Sequence, residues 1–176
     1  MQKEGKILIV DDNEDILFAL NLLLKTHVEK VRVTTQPERI LHFIELFHPD
    51  VILLDMNFHK DASSGQEGFY WLDQIRKVDP NAVVIFITAY GDTEKAVQAI
   101  KAGATDFIPK PWESEKLLAT VFSALQLRKS KDEISQLKKK VTVLESNRPP
   151  IPEIVGESSA MQSLFDTVEK LKNTDA

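Results

Sequence analysis

With 176 residues, 28% charged and 43% hydrophobic, the chain has room for one ordinary domain and roughly fifty residues more. It has no cysteine, which excludes a disulfide framework and thiolate metal sites, and His27, His42, His48 and His59 show no paired ligand spacing. The longest purely apolar stretch, Ala82 to Ile87, falls far short of a membrane span, and the apolar run after the charged start ends at Asp11, too early for a signal peptide, so a soluble, cytoplasmic protein with no membrane partner is expected.

In chain order, short β-branched runs recur at Ile7 to Val10, Val31 to Thr34, Val51 to Leu54, Val83 to Ile87 and Thr105 to Ile108. Helical stretches separate them. Ile16, Leu17, Leu20, Leu23 and Leu24 follow the 3.6-residue period, Pro37 suits the first turn of a second helix, and Gly103 suits the end of the helix through Ala96 and Ile100. Runs one, three and four are apolar throughout, as strands covered on both faces must be, while Val31-Arg32-Val33 alternates like an edge strand. Five βα units of this kind predict an α/β fold, a doubly wound five-stranded parallel sheet in the order 2-1-3-4-5.

From Ser114 the pattern is helical with no Gly or Pro until Pro149, longer than one domain needs to cover its sheet. Leu127, Ile134, Leu137, Val141 and Leu144 fit heptad spacing, with Ser130 as the polar exception, which predicts an extended C-terminal coiled-coil helix and a homodimer. Charge changes along with it: the chain is acidic through residue 112, basic from 113 to 150 and acidic beyond. Lys138-Lys139-Lys140 is read as a solvated helix face rather than a nucleic-acid patch, since the chain is acidic overall and has no DNA-reading motif. Arg148-Pro149-Pro150-Ile151-Pro152 breaks the helix as a stiff linker, and Met161, Leu164, Phe165, Val168 and Leu171 form one amphipathic stripe with nothing left in the chain to bury it.

The polar residues closing the strands carry the chemistry. Asp11 and Asp12 follow strand one, Asp55 strand three, Thr88 strand four and Lys110 strand five, all at carboxyl ends, where open α/β sheets bind ligands. Three carboxylates gathered there repel by ~4 kcal/mol per close pair at ~4 Å and an effective dielectric of ~20. A divalent cation relieves this, and an open, oxygen-lined site with few protein ligands favours Mg²⁺ shared with a phosphate. Thr88 then donates to a phosphoryl oxygen and Lys110 neutralises another.

Ile7-Leu8-Ile9-Val10-Asp11-Asp12-Asn13-Glu14, Val51-Ile52-Leu53-Leu54-Asp55-Met56, Ile87-Thr88-Ala89 and Phe107-Ile108-Pro109-Lys110-Pro111 together resemble the receiver domain of bacterial two-component response regulators, over about residues 5 to 128. The resemblance implies that Asp55 takes a phosphoryl group from a phosphohistidine on a partner sensor histidine kinase. It implies that Asp11, Asp12, Asp55 and the backbone carbonyl of Asn57 hold Mg²⁺, and that Thr88 and Lys110 contact the phosphoryl group. It further implies a switch made of Thr88 and the aromatic Phe107, tuning positions at Asn57 and Tyr90, and a cis bond before Pro111. One departure stands out: the loop from Met56 to Gly68 is about five residues longer than the family's usual run and lacks its Pro, and His59 and Asp61 in it are read as solvated loop residues.

The stretch Ile154-Val155-Gly156-Glu157-Ser158-Ser159-Ala160-Met161 resembles the opening of the AAA+ ATPase domain of NtrC-like activators of sigma-54 polymerase, and no G-x-x-x-x-G-K-[ST] phosphate loop occurs. The expected organisation is a receiver domain over 1–128, a coiled-coil linker helix over 129–147, and a Pro-rich linker with the first helix of a truncated ATPase domain over 148–176. By the same resemblance the longer protein would engage promoter DNA and sigma-54 RNA polymerase. This chain is expected not to be an enzyme beyond accepting a phosphoryl group and removing it again. Two other readings stay open. A phosphatase of the haloacid dehalogenase type uses an Asp, Mg²⁺, Thr and Lys, but needs a second Asp where Asn57 stands; a phosphorylation-independent dimerisation module would use the sheet only as scaffold for the helix.

Overall fold

The computed structural model describes residues 3–58, 66–89 and 93–146, together with Ser163 and Asp166. Strands β1 (Lys6–Val10), β2 (Lys30–Thr34), β3 (Val51–Asp55), β4 (Val84–Ala89) and β5 (Asp106–Lys110) alternate with helices α1 (Glu14–Leu24), α2 (Ile40–Phe47), α3 (Gln66–Val78), α4 (Thr93–Ala102) and α5 (Ser114–Ser146). All four pairings are parallel and the order is β2-β1-β3-β4-β5, the expected doubly wound arrangement.

The strand period of two explains why the central strands are apolar throughout. Ile7, Ile9, Val51, Leu53, Ile85 and Ile87 face a core completed by Leu17, Leu20 and Leu24 of α1 and Leu117 and Val121 of α5. Leu8, Val10, Ile52, Leu54 and Phe86 face the opposite core with Ile40 and Ile44 of α2, Leu72 and Ile75 of α3 and Ala99 of α4. β2 is the exposed edge that Val31-Arg32-Val33 announced. Several boundaries differ from the sequence reading. Pro37 opens a separate 3-10 turn, Pro37–Arg39, ahead of α2; and β3, β4 and β5 continue into Asp55, Thr88 and Lys110 rather than stopping before them. An apolar run ends at its first polar residue, but the backbone ladder continues while a neighbouring strand accepts its hydrogen bonds.

Glycine is required at two helix ends. Gly103 ends α4 with φ +102°, where a Cβ would collide with the Arg76 guanidinium, whose Nη1 donates to the Ala102 carbonyl at 2.9 Å. Gly68 in the first turn of α3 lies against the backbone of Met56, and a Cβ there would come within 2.7 Å of the Met56 carbonyl oxygen.

Helix α5 is fixed to the turn between α3 and β4. Arg128 donates from Nη1 to Asp79 at 2.6 Å and from Nε to Asp132 at 2.8 Å, and Asn81 Nδ2 donates to Ser135 Oγ at 2.7 Å. Burial pulls the Arg128 guanidinium down, but Asp79 and Asp132 outweigh it and raise it above its ordinary value. Arg128, Asp132 and Ser135 share one stripe of the helix at i, i+4, i+7 spacing. Leu127, Ile134 and Leu137 lie on the far side of it and are exposed, as are Val141 and Leu144 further along.

The chain divides into two compact units, Met1–Leu137 and Lys138–Ala176. Apart from Ser163 and Asp166, both helical, the Pro-rich linker and the Met161 to Leu171 stripe lie outside the described residues, as do His59, Asp61 and Tyr90. Among the described residues no helix is long and apolar enough to cross a membrane.

Candidate functional site

Parallel register brings the polar strand ends together. Val10 stands opposite Leu54 and Asp55 opposite Ile87, so the residues that follow Val10 and those that close β3 and β4 share the carboxyl edge of the sheet. The β1–α1 connection is set by its own hydrogen bonds. Asn13 caps α1, its side-chain oxygen accepting from the Asp15 N–H at 2.9 Å, while its own N–H donates to Asp11 Oδ1 at 2.9 Å. The cap thereby orients a carboxylate that is wholly buried.

Carboxylate oxygens of Asp11, Asp12 and Asp55 all lie within 4.8 Å of one another. The Lys110 ammonium enters from β5 and donates to Asp11 Oδ2 at 2.6 Å and to Asp55 Oδ1 at 2.8 Å. Burial raises the Asp55 carboxyl; Lys110 opposes it, Asp11 and Asp12 reinforce it, and the outcome is about 6. Burial also pulls the Lys110 ammonium down, but its bonds to Asp11 and Asp55 prevail and raise it above its ordinary value.

This donor set fits a divalent cation. Three carboxylates and one ammonium leave two negative charges, and all the candidate ligand atoms are hard oxygens. At Mg–O distances of about 2.0–2.1 Å, opposite ligands of one ion stand about 4 Å apart, close to the spread of these oxygens.

Thr88, buried in β4 one residue beyond Ile87, completes the edge. Phe107, by contrast, is 37% exposed, so its ring is not part of the core. Asn57 is half-buried two residues beyond Asp55, and its side-chain Oδ1 is shut off from solvent with no hydrogen-bond donor. The heptad residues from Leu127 onward belong to α5 and are not part of this cluster. Glu67, the second residue of α3 and next to Gly68, is missing from the sequence-derived site. It shares a groove of about 280 Å³ with Asp12 and Phe58, and its Oε2 is also buried without a donor. Only its position next to a helix-opening glycine hinted at it.

Residues 7–122 match the family described as the response regulator receiver domain. The chain belongs to that family. A solved receiver domain from a Bacteroides fragilis two-component response regulator is 42% identical, with a TM-score of 0.64, covering 69% of this chain and 97% of that one. NtrX from Brucella abortus, solved with ADP, is 32% identical with a TM-score of 0.69, covering 96% of this chain and 35% of its own. The nitrogen assimilation regulatory protein NtrX of Azorhizobium caulinodans is 32% identical over 170 residues, and NtrC of Escherichia coli 28% over 172. The chain spans only 35% and 34% of those two regulators' lengths. Similarity to both extends past the receiver domain to nearly the whole of this chain, 97% and 98% of it.

Proposed function

We propose that this receiver domain accepts a phosphoryl group on Asp55 from the phosphohistidine of a sensor kinase, with Mg²⁺ held by Asp11, Asp12, Asp55 and the backbone carbonyl of Asn57. The observation that carries the reading is Lys110, whose ammonium bridges Asp11 and Asp55 within 2.8 Å at the carboxyl edge of the sheet. An Asp55 oxygen forms the new bond to phosphorus as the bond from phosphorus to the imidazole nitrogen breaks, and the electron pair leaves with the imidazole. A carboxylate needs no general base. The cation supplies Lewis-acid stabilisation of the charge that develops on the phosphoryl oxygens. Lys110 exchanges one of its carboxylate contacts for a phosphoryl oxygen, and Thr88 donates to another.

Phosphorylation replaces a buried carboxylate by a group with more charge and more acceptor oxygens. Drawing Thr88 toward it favours a second state of the β4–β5 edge, in which the exposed ring of Phe107 turns inward. The readout lies along α5. Its stripe from Leu127 to Leu144 pairs with that of a second copy in a parallel coiled coil, which would deliver two further domains side by side in a longer NtrC-like, sigma-54-dependent activator acting on promoter DNA in the cytoplasm. The chain works as a signalling domain rather than a turnover enzyme.

Intact-mass measurement after incubation with acetyl phosphate and Mg²⁺ tests the phosphoacceptor. One phosphoryl adduct is expected on the wild type, and none on Asp55→Asn or when EDTA removes the metal. An equal adduct on Asp55→Asn would overturn the assignment.

A further inference from the structure

Among the described residues two side-chain oxygens are shut off from solvent without a hydrogen-bond donor, Asn57 Oδ1 and Glu67 Oε2. Buried acceptors are almost always satisfied, so each calls for a partner. Both flank the acidic cluster. Asn57 follows Asp55 by two residues, and Glu67 lines the groove it shares with Asp12 and Phe58. Glu67 is also held in place by its neighbour: Gly68 packs so closely on the Met56 backbone that the start of α3 is pinned to the residues leaving β3. The Lys110 ammonium donates to Asp11 and Asp55 and not to Glu67.

The orphans share a chemistry. Both are acceptors, so the missing partner must be a donor. Mg²⁺ in a site with few protein ligands keeps several waters, which turn their lone pairs to the ion and their hydrogens outward. Such waters are donors, and strong ones because the ion polarises them. Glu67 does not belong to the carboxylates that lie within 4.8 Å of one another, which suits contact through water and not direct ligation.

We propose that Glu67 is a positioning residue for the cation, its buried carboxylate oxygen accepting a hydrogen bond from a water on the ion held by Asp11, Asp12 and Asp55. The inference rests on the reading of those three carboxylates as the metal site and adds a partner outside the coordination sphere.

Titration of the metal-loaded state with Mn²⁺ alone, followed by the electron paramagnetic resonance signal of the free ion, tests this without any phosphoryl donor. Loss of such an outer partner typically weakens metal binding by at least about tenfold, so that decrease is expected for Glu67→Ala. Glu67→Gln keeps an acceptor oxygen but not the charge, and should lose measurably less affinity than the Ala variant. Glu38 lines the same groove but is exposed, so Glu38→Ala should bind as the wild type does. Affinity of Glu67→Ala within twofold of wild type would overturn the proposal, as would an equal loss in Glu38→Ala, which would reveal a general effect of charge. If the Ala variant proves poorly folded by circular dichroism, the near-isosteric Gln variant decides, and wild-type affinity there would count against the proposal. A wild type whose Mn²⁺ binding is unaffected by Asp55→Asn would instead overturn the metal site itself.

Discussion

Arg128 and Asp79 meet at 2.6 Å where α5 passes the turn between α3 and β4, at the end of the sheet away from Asp55. Both side chains are largely buried, and Arg128 holds Asp132 of its own helix as well. The stripe that makes these bonds is the one opposite the heptad residues, so anchoring the polar side leaves the apolar side turned outward.

Removing one partner of that pair should be costly. Arg128→Ala strands Asp79 partly out of solvent, and a loss of about 1–3 kcal/mol in unfolding free energy is expected. Urea titration measures it. Lys116→Ala, which removes an exposed pair with Glu113, should be near neutral in the same assay.

The pH dependence follows from the raised Asp55 carboxyl, at about 6 against an ordinary 3.8. Between those values the folded protein binds more protons than the unfolded chain. The favourable contribution of the protonated group is therefore complete below about 3.8 and is lost as pH rises through about 6. In the absence of metal, Asp55→Asn should stabilise the protein at pH 7.5 by about 1–3 kcal/mol and have little effect at pH 4, measured by thermal unfolding. Metal affinity should fall as pH drops through about 6, because protons compete for the same oxygen.

Gly68→Ala places a methyl group 2.7 Å from the Met56 carbonyl oxygen, which is backbone and cannot swing aside. Overpacking of this kind costs about 1–3 kcal/mol. The start of α3 must shift from β3, so Mn²⁺ affinity should fall along with stability. Wild-type affinity in a destabilised Gly68→Ala would separate the packing at Met56 from the geometry of the metal site.

For the dimer, Ile134→Asp together with Val141→Asp should yield monomers in sedimentation equilibrium while Asp55 still takes up phosphate. Each apolar side chain buried in the seam contributes about 1.5–3 kcal/mol, far above the ~0.3–0.5 kcal/mol of an exposed flanking ion pair. A double variant that stays dimeric would move the interface off α5.

The apolar runs of β1, β3 and β4 made a doubly covered parallel sheet legible in the sequence, because a strand buried on both faces has no room for polar residues. Asp11, Asp12, Asp55, Thr88 and Lys110 were legible for a related reason. Each interrupts or closes such a run, and parallel strands place their carboxyl ends on one edge. Distances were another matter. That Lys110 bridges Asp11 and Asp55 depends on the register between β1, β3 and β5, which apolar runs do not encode. The raised Asp55 carboxyl arises from burial by residues far away in the chain. Arg128 with Asp79, 49 residues apart, and Glu67 beside Asp12 are ordinary surface residues as a sequence reads. Their environment exists only once α3 and α5 pack on the sheet, because burial and hydrogen-bond partnership depend on neighbours in space, and periodicity reports only which face of an element is apolar.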